Sequence, residues 1–221
     1  MMFLLLIYQR MASSSSRSIY TALSKRLNIL EDTHTESCET LQTNIEFIDD
    51  IEEHNPEHQL AELSQSAVCK TVFRENSAIE LEISMLRNCV SLAKRAMTGR
   101  NDAKFRKLLD ILDEFKIREN EPTLKFIIFT EFVETQNYLN ENLQNLGYTT
   151  ALINGGLSLE EKTKEKLNFQ NSAQILISTD AGGEGINLQF CRIMINYDLP
   201  WNPMRLEQRI AELIVLGRIM M

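Results

Sequence analysis

Apolar positions along the chain fall into two textures that meet near residue 124. Before that point the spacing is helical. Ile19, Leu23, Leu27 and Leu30 recur every three or four residues, which sets them on one face of a helix that needs a partner. Residues 1–30 therefore read as helix, interrupted by the serine run at 13–16. Leu60, Leu63, Ala67 and Val68, and later Leu81, Met85, Cys89, Leu92, Ala93 and Met97, repeat the spacing and predict one or two long helices over 57–97. Gly99 ends that pattern and Asp102 is a suitable N-cap for the next. Phe105, Leu108, Leu109, Leu112 and Phe115 then form the stripe of a further helix, closed by Pro122.

After Leu124 the texture changes. Lys125-Phe-Ile-Ile-Phe-Thr130 is a continuous apolar run, too short for a helix and suited to a strand buried on both faces. Helical spacing follows in Phe132, Val133, Tyr138, Leu139, Leu143 and Leu146, ended by Gly147. The alternation then repeats, with strands at 149–153, 175–178 and 192–196 and a charged amphipathic helix at 159–169. Strand and helix alternating through short connections predict a mainly parallel sheet covered by helices. The expected organisation is a helical segment (1–30), an acidic linker or insertion (31–56), a helical region (57–121) and an α/β lobe (122–221).

Charge sharpens this division. The chain of 221 residues holds 31 acids against 23 bases, a net charge of -8 that argues against a generally basic nucleic-acid binder. The imbalance is local, however. No Lys or Arg lies between Arg26 and Lys70, and the 11 acids from Glu31 to Glu62 leave 20 acids against 23 bases elsewhere. That stretch reads as a solvated acidic surface, and a mildly basic face is left for the remainder. Cys38, Cys69, Cys89 and Cys191 are scattered without paired spacing, so neither a metal site nor a disulfide framework is implied, and reduced thiols in a cytoplasmic setting are expected. The apolar run at residues 1–8 is too short to span a bilayer, and no membrane role is expected. Arg10 lies on the wrong side of it for a secretory leader.

Chemistry concentrates where the predicted strands end, the usual ligand position in an open parallel sheet. The strand at 175–178 runs into Thr179-Asp-Ala-Gly-Gly-Glu-Gly-Ile-Asn-Leu188, a glycine-rich turn whose backbone amides suit close approach to phosphate oxygens. The glycines alone are equally consistent with a tight strand-to-helix turn that binds nothing. The longer string is more specific. Ser178-Thr-Asp-Ala-Gly-Gly-Glu-Gly-Ile-Asn-Leu-Gln189, then Ile195-Asn-Tyr-Asp-Leu-Pro-Trp-Asn-Pro203 and Glu207-Gln-Arg-Ile210, closely resemble motifs V and VI of superfamily-two helicases of the Swi/Snf type. Phe129-Thr-Glu-Phe132 resembles motif IV, and Asn154-Gly-Gly156 stands where that family has a DNA-contacting loop. The resemblance covers roughly residues 100–211. More loosely, residues 9–27 and the helices up to Met97 resemble the segment between the lobes of bacterial RNA-polymerase-associated ATPases of this type.

The resemblance implies a RecA-like three-layer lobe, the second of two in a DNA-dependent ATPase, with ATP and Mg2+ used by the complete enzyme and double-stranded DNA lying across both lobes. It also implies a first RecA-like lobe, in cis or in trans, and RNA polymerase as a candidate partner. Thr130, Gly155, Gly156 and Thr179 would then contact the DNA backbone. Gly183, Gly185, Asn187, Gln208 and Arg209 would line the ATP cleft. The stretch 196–203 reads as a structural, proline-bounded loop with Trp201 packed against the lobe.

Two departures limit this expectation. The 221 residues contain no GxxxxGK[ST] phosphate loop and no Asp-Glu pair at a strand end. The family's motif VI continues Gln-Arg-Ile-Gly-Arg-x-x-Arg, and the positions of its two later arginines hold Glu212 and Val215. Residues 211–218, Ala-Glu-Leu-Ile-Val-Leu-Gly-Arg, have a codon spelling that reads Gly-Arg-Ile-Asp-Arg-Ile-Gly-Gln when one G is restored ahead of it. The expectation is therefore a truncated or frameshifted lobe with no catalytic residue intact, no tight ATP binding and no activity alone. The alternative is a non-catalytic DNA- or partner-binding module.

Overall fold

The computed structural model describes residues 2–35, 76–98, 102–179 and 191–200, together with 202, 204, 206, 207 and 209. The chain divides into two compact units, residues 1–99 and 100–221.

In the first unit, α1 (Met2–Ser14) and α2 (Ser16–Thr35) are separated at Ser15, inside the serine run. The Ser15 hydroxyl accepts from the Ser18 amide at 3.1 Å, the bond a serine N-cap makes in place of the missing helical partner. α2 packs on α3 (Asn76–Thr98) through Leu27, Ile29 and Leu30 against Ile79, Ile83 and Leu86. Arg26 and Glu82 (2.9 Å) and Arg87 and Glu31 (2.7 Å) add ion pairs between the same two helices. Leu27 and Leu30 thus find the partner their spacing required. On α3 the packed face differs from the expected one, because Leu81, Met85, Cys89 and Leu92 of the expected stripe are exposed, Ala93 alone of these five is buried, and Ile83 outside the stripe is buried. Two apolar stripes at helical spacing run along this helix, and α2 covers the one through Ile79, Ile83 and Leu86. The expected helix around Leu60, Leu63 and Ala67 lies outside the described residues, as does Trp201.

The second unit is a three-layer lobe. Its elements are α4 (Ala103–Glu119), β1 (Phe126–Thr130), α5 (Val133–Asn145), β2 (Thr150–Ile153), α6 (Leu159–Asn171), β3 (Ile175–Thr179) and β4 (Ile193–Asn196). The strands form one sheet in the order β2-β3-β1-β4, every pairing parallel. Chain order and sheet order differ, so α5 carries the chain toward β2 and α6 carries it back toward β3. Right-handed crossovers in opposite directions must lie on opposite faces. Accordingly, Leu139 and Leu143 of α5 pack with Phe126, Ile128, Ile175 and Ile177 on one face, and Phe169 of α6 packs with Ile127, Phe129, Ala151 and Leu176 on the other. Every residue of β1 and β3 is buried, which explains why both read as unbroken apolar runs rather than alternating ones.

The helix ends are specified locally. Asp102 caps α4, its carboxylate accepting from the Phe105 amide at 2.9 Å. That helix closes before Pro122, on Asn120, whose φ of 51° is the left-handed conformation asparagine tolerates. Ser158 and Glu161 form a reciprocal capping box at the start of α6. Phe105, Leu108 and Leu112 of α4 belong to the α5-side core. The sequence pattern grouped this helix with the region at 57–121, whereas it packs as part of the lobe, because its stripe is the cover for that face of the sheet.

Two stability predictions follow from this packing. Leu139→Ala should lower the unfolding free energy by about 2–5 kcal/mol, whereas Leu159→Ala, at an 82% exposed site, should stay within roughly 0.5 kcal/mol. Urea unfolding of both variants checks the contrast. The Cys191 thiol, buried beside β1 and donating to the Lys125 carbonyl at 3.2 Å, is pushed by burial from 9.0 to about 11. A raised thiol adds stability that is complete below its unfolded value and is lost as pH rises toward the folded one. Stability should therefore decline between about pH 9 and pH 11, and Cys191→Ala should flatten that decline in pH-dependent denaturation curves.

Candidate site at the carboxyl ends of the strands

Where a parallel sheet ends, backbone groups leave their ladder partners and must be satisfied by side chains or water. Thr130 and Thr179 are register partners at the ends of β1 and β3, and Asn154, Gly155 and Gly156 follow β2. β4 ends in Asn196 and leads into Tyr197 and Asp198. These elements meet along one edge of the lobe, and two polar side chains organise them.

Asp198 is the first. It is 8% exposed, and its Oδ2 accepts from the Thr130 hydroxyl at 2.6 Å and the Glu131 amide at 3.0 Å. Its Oδ1 accepts from the Lys104 ammonium at 2.7 Å, which also stands 4.0 Å from the centre of the Tyr197 ring. One carboxylate therefore joins the ends of β1 and β4 to the first turn of α4. Tyr138 of α5 donates to Asp102 at 2.7 Å and clasps the same turn from the other side. Burial, aided by the hydrogen bond to Asp102, raises the Tyr138 phenol well above its ordinary value. Burial likewise raises the Tyr197 phenol.

Gln136 is the second. It is fully buried, and its amide nitrogen donates to the carbonyls of Ile153 (3.0 Å) and Ile177 (2.8 Å), one from each neighbouring strand. Its oxygen accepts from Asn154 at 3.0 Å, and the Asn154 oxygen accepts from the Gly156 amide at 3.0 Å.

The predicted site residues divide accordingly. Gly155 is partly exposed and Gly156 exposed, at the surface of the loop after β2. Thr130 and Thr179 are buried, and the Thr130 hydroxyl is committed to Asp198. Arg209 is 5% exposed, with its guanidinium bonded to the Asn196 oxygen and lying 4.4 Å from the centre of the Phe129 ring. Both of these contacts are with strands of the lobe. Gly183, Gly185, Asn187, Gln208, Glu212 and Val215 lie outside the described residues. Sequence reasoning passed over Asp198, Lys104 and Gln136. Gln136 carried a signal, being a polar residue on the stripe of Phe132, Leu139 and Leu143. Asp198 lay inside the stretch read as a structural loop, and nothing in the pattern linked Lys104 to it across 94 residues.

Among the described residues no cluster of three or more His, Cys, Asp or Glu could hold a metal ion. Among them, too, no helix is long and apolar enough to cross a membrane.

Residues 103–212 match the model of the helicase conserved C-terminal domain. The chain is 50% identical over 112 residues to the uncharacterized ATP-dependent helicase YqhH of Bacillus subtilis, covering 51% of this chain and 19% of the relative. It is 31% identical over 112 residues to the RNA polymerase-associated protein RapA of Vibrio cholerae, covering 49% and 11%. It is also 26% identical over 179 residues to the ATP-dependent RNA helicase uap56 of Schizosaccharomyces pombe, covering 76% and 40%. The chain thus spans less than half the length of each of these relatives.

The Asp198 junction makes a specific prediction. Asp198→Ala strands the Thr130 hydroxyl and the Glu131 amide, and should cost about 2–4 kcal/mol in thermal or urea unfolding. Asp198→Asn keeps an accepting oxygen and should cost roughly half as much; equal losses would show that the carboxylate's acceptor role does not set its contribution. With a parallel sheet covered on both faces and a family match over the same residues, the lobe at 103–212 is a helicase conserved C-terminal domain.

Proposed function

We propose that this chain supplies the second motor lobe of a Swi/Snf-type, double-stranded-DNA-dependent ATPase, working against a first RecA-like lobe that carries the phosphate loop. The observation that carries the reading is the edge where the loop at 154–156 and the ends of β1 and β3 converge. Backbone amides and short hydroxyl side chains at such an edge suit tracking of a sugar-phosphate backbone, which demands little base specificity. Thr130 and Thr179 are buried, and the Thr130 hydroxyl would reach DNA only after Asp198 releases it. Gly183, Gly185, Asn187 and Gln208 would face ATP across the cleft, and Arg209 would brace the motif VI segment against Phe129 and Asn196 rather than meet the nucleotide. Mg2+ would be held by the other lobe. The RapA relative is an RNA polymerase-associated protein, which makes the polymerase a candidate partner of the assembled enzyme.

A second reading has its own observation. Glu212 and Val215 stand where the resemblance calls for arginines that stabilise charge on the transferring phosphoryl group. With those positions acidic and apolar, the 221-residue chain would act as a DNA- or partner-binding module without turnover. The two readings separate in one experiment, ATP hydrolysis with and without duplex DNA, in the presence of an added first lobe from the Bacillus subtilis relative. The unaltered chain should show no DNA-stimulated hydrolysis under either reading, and only a second motor lobe should gain it from restored arginines. The paired change Glu212→Arg and Val215→Arg should raise the rate of the mixture by about 10³-fold or more. Substituting duplex RNA for DNA distinguishes the substrate of the RapA-like reading from that of an RNA helicase. Turnover by the purified chain alone that falls on Gly185→Ala would overturn the inactive assignment, and failure to bind either duplex would overturn the nucleic-acid role.

A further inference from the structure

We infer that Gln136 is the positioning residue of the loop at 154–156, an assignment that rests on reading this loop as part of the nucleic-acid surface. Gln136 occupies a fully buried position on α5 between Phe132 and Leu139, where an apolar side chain would ordinarily pack. A primary amide has two N–H donors and one oxygen. Both donors are taken by carbonyls at the point where β2 and β3 leave their ladder, Ile153 at 3.0 Å and Ile177 at 2.8 Å.

Those two acceptors fix the orientation of everything further out. With its nitrogen turned to the carbonyls, Gln136 can present only its oxygen to Asn154, which must answer with its own nitrogen, at 3.0 Å. The Asn154 oxygen is then directed at the Gly156 amide, again at 3.0 Å. Reversing either amide sets oxygen against oxygen or donor against donor, so the chain of bonds has one satisfied arrangement. The Asn154 oxygen also lies 3.4 Å from where a Gly156 Cβ would be, so the side chain is seated directly against the loop backbone. Because Gln136 also holds Ile177, two residues before Thr179, it sets the spacing between the loop after β2 and the end of β3. Which loop amides face outward is thus decided from inside the core.

The test uses the full chain, a short DNA duplex as the probe and two readouts. In fluorescence anisotropy, Asn154→Ala and Gln136→Leu should each weaken binding by about tenfold, and the double variant should be no weaker than Gln136→Leu alone, because both break one chain of bonds. In amide hydrogen exchange, Gly156 should exchange at least about tenfold faster in each variant while the amides of α6 are unaffected. Additive binding losses, or an unchanged Gly156 rate in Gln136→Leu, would overturn the assignment. A wild-type chain that does not bind the duplex refutes the nucleic-acid reading, and the exchange rates then decide the positioning role by themselves. If Gln136→Leu does not fold, Gln136→Glu serves in its place. A carboxylate cannot donate to the two carbonyls, so its Gly156 exchange, corrected for the intrinsic rate, should slow as pH falls from about 8 to about 5 and the acid is protonated. A corrected rate that does not change with pH would count against Gln136.

Discussion

Burial of the β1–β3 pair on both faces is the constraint on which the lobe depends. Phe126, Ile128, Ile175 and Ile177 point into one core, and Ile127, Phe129 and Leu176 into the other. Neither core exists unless α5 and α6 cross on opposite sides, and they do so because the step from β1 to β2 and the step from β2 to β3 run in opposite directions across the sheet. α4 is recruited to the same purpose, its Leu108 and Leu112 closing the α5-side face. With the centre of the sheet dry, the polar chemistry of the lobe is displaced to the strand ends.

At those ends the physical problem is the satisfaction of buried hydrogen-bonding groups, and the two ends solve it differently. On the amino side, Lys125 bends back to donate to the carbonyls of Phe169 and Ala173 at 2.7 and 2.6 Å, and partial burial lowers its pKa. Those bonds tie the end of α6 and the segment before β3 to the start of β1 through one ammonium. On the carboxyl side, Asp198 gathers a hydroxyl, an amide and an ammonium from two strand ends and a helix, and Gln136 gathers two strand carbonyls and a loop side chain. Each joins segments that are distant in sequence, so a displacement of one loop is felt by its neighbours.

Much of this architecture was legible in the amino-acid order. The unbroken runs of β1 and β3, the cap at Asp102 and the ends of the α/β alternation each have a local cause, and each lies within a residue or two of its expected place. The packed face of α3 was not legible, because two apolar stripes share that helix and only the position of α2 selects Ile83 over Met85. The site divides along the same line. Gly155 and Gly156 announce themselves as a motif, whereas the pairing of Lys104 with Asp198 depends on where the topology brings α4 and β4, which no local pattern encodes. Gln136 falls between these cases, visible as an anomaly on its stripe but not interpretable until both of its carbonyl partners are known.

The central claim is that the carboxyl edge of the sheet is the face that meets nucleic acid. Hydrogen–deuterium exchange of the full chain, compared with and without a saturating DNA duplex at low salt, addresses it most directly. The account predicts slowed exchange in peptides spanning residues 154–157 and 179–187, with no change in those spanning 121–125 and 171–174 at the opposite edge. Slowed exchange confined to the amino-side peptides, or to α6, would contradict it.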